Sequence, residues 1–146
     1  MSRSTSIRSH DDGAAVIEVA LLAPALIVLV LLAIAAMRIE VAGESVDASA
    51  HDAARAASIS RNGPDASANG LSAARRTLAA EGLTCSSLTV RVDTRQFGNK
   101  IGQPATVRAT VTCVVPLSDL SVPGLGGHKT ITSTFFSPID QYGGRS

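Results

Sequence analysis

The first strong pattern in the chain is a run without charge. Residues 19–37 hold six Leu, two Ile and three Val and not one Asp, Glu, Lys or Arg. At a rise of about 1.5 Å per residue, 19 helical residues reach roughly 28 Å, close to the hydrocarbon thickness of a bilayer. At about −0.3 to −0.6 kcal/mol each, the eleven aliphatic residues favour insertion by roughly 3 to 7 kcal/mol. Pro24 lies in the first turns of this run, where a membrane helix tolerates it. A cleaved signal peptide would have a shorter apolar stretch and a turn before its cleavage site. Here Arg38-Ile39-Glu40 follows directly. Ala33 to Ala36 supplies the small residues of a signal-peptidase site, so that alternative stays open.

Beyond the run the period changes but stays helical. Ile39, Ala42, Val46, Ala50, Ala53 and Ala57 recur at three- and four-residue intervals and define one face, made mostly of alanine. Such small residues let a helix approach its neighbour closely. The predicted helix begins near Ala14, crosses the apolar run and stops at Arg61-Asn62-Gly63-Pro64-Asp65. A second helix is predicted over residues 65–81, with Ala68, Leu71, Ala74 and Leu78 on one face, Gly70 as a weak point and Gly82 as C-cap. After Gly82 the pattern alternates. Leu88 to Thr94, Thr106 to Val115 and Lys129 to Phe136 each read as a half-buried strand. Strands in succession favour an antiparallel meander over the helix. The fold class is therefore α+β: a long N-terminal helix, a short helix and a small antiparallel sheet of three to four strands. Residues 1–12 are polar and aperiodic, as expected of a disordered leader. The predicted organisation is a leader over 1–13, the apolar helix and its extension over 14–62, and an extracytoplasmic α+β domain over 63–146.

Composition sharpens this picture. Of 146 residues, 45% are hydrophobic and 17% charged, against about 25% charged in soluble domains. A net charge of +1 and only four aromatic residues argue against a nucleic-acid partner. Arg3 and Arg8 precede the span, so the positive-inside rule places the N-terminus in the cytoplasm and the rest of the chain outside. The two cysteines, Cys85 and Cys113, both follow the span. In an oxidising compartment they make one disulfide, closing a loop of about 29 residues for roughly 3 to 4 kcal/mol; two buried free thiols are the other reading.

Catalytic chemistry is hard to find. His10, His51 and His128 have no ligand partner at metal spacing. His51 and Asp52 fall on different helical faces and read as a solvated pair. Gly124-Leu125-Gly126-Gly127-His128-Lys129-Thr130 fails as a phosphate loop, since a histidine stands before Lys-Thr and a strand pattern follows. No Gly-x-Ser-x-Gly is present. The expectation is a non-enzyme with no cofactor, no metal and no small-molecule substrate.

The informative constellation lies at the membrane edge: Gly13-Ala14-Ala15-Val16-Ile17-Glu18, followed by Val19-Ala20-Leu21-Leu22-Ala23-Pro24. A carboxylate beside a lipid segment is costly unless it meets a partner or the headgroup region. A glycine, four residues, a glutamate and then an apolar helix resembles the processing site of type IV prepilins and pseudopilins. It is most similar to the TadE-like family of the tight-adherence (Tad, or Flp) pilus systems, differing from many of them in having Val19 rather than an aromatic after the glutamate. Ala53-Ala54-Arg55-Ala56-Ala57 and the Ser137 to Asp140 ending extend the resemblance. The resemblance implies a minor pilin, or a membrane-anchored assembly component, of an adhesive pilus or related secretion system. It implies cleavage between Gly13 and Ala14 by a prepilin peptidase. It also implies that Glu18 sets helix register by pairing with a neighbouring subunit, the partners being other pilins and pilus assembly proteins. The alternative is an uncleaved single-pass anchor carrying an extracytoplasmic binding module, which needs no role for Glu18.

Overall fold

The computed structural model describes residues 11–100, 102–118 and 126–139, with side chains from Ile17 onward except that of Glu18. Two compact units are present, Met1–Met37 and Arg38–Ser146. Helix α1 (Asp11–Ser58) is followed by α2 (Gly63–Ala80), β1 (Ser87–Asp93), a 3-10 turn (Arg95–Gly98), β2 (Thr106–Pro116) and β3 (His128–Pro138). The fold is α+β, as the periodicity indicates, with three strands among the described residues. Helical structure is already present at Asp11, three residues before the expected start; the rest of the leader lies outside the described residues.

In the first unit, the large apolar side chains of residues 19–37 are exposed, Leu21 at 72% and Val28 at 56%. This is the apolar stretch of a helix long enough to cross a membrane, with a mean hydropathy of 3.0.

The second unit is two-layered. β1, β2 and β3 form an antiparallel sheet in chain order, with Val90 opposite Val111 and Val111 opposite Ser133. The alternation in β2 is complete: Val107, Ala109, Val111, Cys113 and Val115 are fully buried on one face. Against them pack Val46, Ala50, Ala53 and Ala54 of α1, with Ala74 and Leu78 of α2. A second cluster joins Ala57, Ala66, Ala105, Val107 and Ile139. The α1 face read from the sequence is thus the buried one. Its serines bond within their own helix: Ser45 donates to the Val41 carbonyl (3.0 Å) and Ser49 to that of Val46 (2.7 Å). These two buried hydroxyls are satisfied within the helix, whereas the buried Ser58 donates to the Arg55 carbonyl (2.8 Å) and also accepts from Ser137 of β3 (3.1 Å).

Helix α2 corrects the expectation in two respects. It starts at Gly63, because the supposed breaker caps it: Asn62 Oδ1 accepts from the Asp65 amide (2.8 Å), Asn62 Nδ2 donates to Asp65 Oδ2 (2.9 Å), and Pro64 sits in the first turn where its missing N–H costs nothing. Its buried face is Ala66, Gly70, Ala73, Ala74 and Leu78, while Ala68 is exposed and Leu71 half-buried. The face is rotated because Gly70 is the point of closest approach. A Cβ there would lie 2.9 Å from Val92 Cγ2 and 3.3 Å from the Ala53 carbonyl oxygen. Gly82, at φ +69°, ends the helix as expected, with the Leu83 amide returning to the Leu78 carbonyl at 2.9 Å.

Candidate functional site

Two regions bear on function, one in each unit. Gly13, Ala14 and Glu18 lie in the first turns of described α1, immediately before the apolar stretch that starts at Val19. Their side chains are outside the described ones, so the roles expected for them rest on the motif and its position. Ile17 is exposed beside Glu18.

Cys85 and Cys113 form a disulfide with Cα atoms 5.4 Å apart. Cys113 is fully buried in the middle of β2, and Cys85 is half-buried just before β1. The bridge ties the segment leaving α2 to the central strand. Beside it the Ser86 amide and hydroxyl both donate to the Val114 carbonyl, at 2.8 and 2.9 Å.

His51 and Asp52 are a solvent-exposed pair, each side chain 49% exposed. Their side chains do approach, at a weak 3.4 Å, and Asp52 has a better partner in the Thr77 hydroxyl of α2, at 2.7 Å. His51 meets Phe135 edge-on, with ring centroids 4.6 Å apart. The glycine run before His128 leads into β3, as the strand pattern indicates, so no helix follows to receive a phosphate.

Sequence reasoning passed over the outer face of the sheet. Its rows across the three strands are Thr89–Thr112–Thr132, Arg91–Thr110–Thr134 and Asp93–Arg108–Phe136. Thr110 and Thr134 bond through their hydroxyls at 3.0 Å, and Thr112 and Thr132 at 3.1 Å. The Arg108 guanidinium lies 4.6 Å from the Phe136 ring centroid, and Phe136 remains 52% exposed. Arg95 Nε donates to Asp93 Oδ1 at 2.9 Å and its Nη2 to Oδ2, and the Arg95 amide adds a third bond. These bonds hold the Asp93 carboxyl down to about 2, from 3.8, and raise the Arg95 guanidinium. Because the folded pKa is depressed, the stability this group adds is present above its unfolded value and is lost as pH falls toward 2. The signal for this face was available in the sequence: the polar half of the β2 alternation, Thr106-x-Arg108-x-Thr110-x-Thr112, is as regular as the apolar half.

Comparison with known proteins adds one finding. No curated protein and no solved structure matches the chain significantly. The family model for TadE-like proteins matches residues 13–55, the stretch from Gly13 through Glu18 and the apolar run to Arg55. Over those residues the chain is similar to TadE-like proteins, and the helix there is apolar and long enough to cross a membrane.

Proposed function

We propose that the chain is a membrane-anchored component of a Tad-type pilus or a related secretion system, acting as a minor pilin. The observation that supports this reading is the similarity to TadE-like proteins over residues 13–55, a stretch that opens on Gly13 and in which Glu18 precedes the apolar run. In this reading the leader, residues 1–13, is cytoplasmic and is cut after Gly13 by a prepilin peptidase. Ala14 becomes the mature N-terminus. Residues 14–62 hold the anchoring helix, its extension to Ser58 and the turn that follows, and residues 63–146 stand outside the membrane.

The physical case concerns Glu18. A carboxylate at the edge of a lipid segment is stable when it meets a cation, and cleavage creates one at Ala14. The new amino group of a neighbouring subunit can then pair with Glu18 and set the axial register of two packed helices. No enzymatic step is required of this chain. Its partners are other pilins and assembly proteins, reached through the N-terminal helix.

The test is the mature N-terminus, determined by mass spectrometry of protein recovered from membranes and sheared surface material. A start at Ala14 that disappears when the prepilin peptidase is deleted supports the pilin reading; an intact leader leaves an uncut anchor. Glu18→Ala is expected to leave membrane insertion unchanged and to reduce co-purification with other pilus components. Undiminished co-purification would remove the pairing role.

A further inference from the structure

We infer that the outer face of the sheet is a docking surface for an acidic polysaccharide, a glycan whose sugar rings carry carboxylates. The face offers three kinds of group together. Thr89, Thr132 and Thr134 are exposed and Thr110 and Thr112 half-buried, so hydroxyls pave its centre. In each bonded threonine pair one hydroxyl donates to the other. The accepting hydroxyl keeps its own hydrogen for a ligand, and free lone pairs remain on both. Sugar hydroxyls, which both donate and accept, are complementary to such a surface.

The charges supply the acidic part. Arg91 and Arg108 project from neighbouring strands on this face, as diagonal neighbours with Thr110 opposite Arg91 and Asp93 opposite Arg108. Among the carboxylates of these rows there is only Asp93, and Arg95 already holds it with both oxygens engaged. Arg91 makes no hydrogen bond or ion pair among the described residues. Arg108 rests on Phe136, which limits its rotamers while leaving its donors open, so less freedom is lost on binding. A guanidinium receives a carboxylate through two parallel hydrogen bonds. The surface is therefore positive, hydroxyl-rich and covered by no described element.

Other anionic partners fit less well. A lipid surface needs several apolar side chains to insert, and beside Phe136, whose ring carries Arg108, this face presents threonines and a half-buried Val114. A nucleic-acid strand needs successive aromatic platforms, and the single ring here already carries Arg108. The inference does not rest on the pilus reading, because the face is the same in a fibre subunit and in an uncut anchor.

The experiment uses the full chain in nanodiscs of zwitterionic lipid, titrated with oligogalacturonate by calorimetry. Fully methyl-esterified oligogalacturonate is the neutral counterpart, a single-stranded oligonucleotide the phosphate counterpart, and phosphatidylglycerol vesicles the lipid one. Oligogalacturonate is expected to bind with an affinity that falls with salt, and the ester to bind at least about tenfold more weakly. Arg91→Gln and Arg108→Gln should each weaken binding about tenfold, the usual worth of a charge-assisted hydrogen bond. Arg91→Gln breaks no contact within the described fold, so an unchanged unfolding midpoint assigns its loss to the surface. Absence of oligogalacturonate binding, equal binding of the ester, indifference to both arginine variants, or tighter binding to the oligonucleotide or the vesicles would each overturn the inference.

Discussion

Replacing Cys85 and Cys113 together with alanine is expected to lower the unfolding free energy of the α+β unit by about 3 to 4 kcal/mol. The two residues lie 28 apart in sequence, and their bond closes a loop that contains all of β1 and most of β2. Without it the unfolded chain regains the freedom of that loop. For a unit of about 100 residues, such a loss lowers the melting midpoint by roughly 15–25 °C. Alanine is the informative choice, because Cys113 is fully buried and serine would place a hydroxyl there among apolar neighbours. The measurement is thermal and urea unfolding of the full chain, with and without reductant. Wild type in reductant should match the double variant, which should itself ignore reductant. A loss under about 1 kcal/mol would mean that the packing around Val111 and Val115, rather than the bridge, holds the segment after α2 to the sheet.

The second large effect is expected at Gly70, with a sign opposite to helix propensity. In an exposed helix, glycine to alanine stabilises by about 1 kcal/mol. At Gly70 the added carbon would sit 2.9 Å from Val92 Cγ2, a stiff β-branched side chain, and 3.3 Å from a carbonyl oxygen of α1. Something must move, and overpacking of this kind costs about 1 to 3 kcal/mol. Gly70→Ala is therefore expected to destabilise by about 1 to 2 kcal/mol and Gly70→Val by about 3 kcal/mol. Gly43 supplies the comparison. A Cβ there meets nothing within 4 Å, so Gly43→Ala should gain about 0.5 to 1 kcal/mol. Urea midpoints of the two alanine variants, moving in opposite directions, check both statements at once. A stabilising Gly70→Ala would show that α2 can retreat from β1 without loss.

These cases show what the sequence displayed and what it concealed. Periodicity alone located the buried face of α1 from Ile39 to Ala57 and the alternation of β2, because burial in both selects apolar side chains at fixed intervals. It misplaced the face of α2, because there the selecting quantity is distance. Gly70 and Ala73 are buried for having little side chain, and a hydrophobic pattern that rewards Leu71 rotates the helix the wrong way. The start of α2 was hidden by reading Asn62-Gly63-Pro64 as an end, when asparagine followed closely by proline serves equally well to begin a helix. At the N-terminus the short motif from Gly13 to Glu18 carried the whole functional reading. The outer sheet face was overlooked because Thr, Arg and Phe at alternate positions look like ordinary solvated strand residues until three strands bring them into rows.

The alanine surface of α1 has a consequence for axial position. Ala50, Ala53, Ala54 and Ala57 are nearly interchangeable, so a shift of the helix by one turn, about 5.4 Å, would set methyl groups against much the same neighbours. Steric fit alone gives such a surface little preference between the two settings. Two hydrogen bonds act as stops: Thr77 of α2 donates to Asp52 at 2.7 Å, and Ser137 of β3 donates to Ser58 at 3.1 Å. They grip α1 on two sides and six residues apart, so a slip in either direction breaks both. A smooth helix can therefore be held to one setting by very few polar contacts, provided they come from different neighbours.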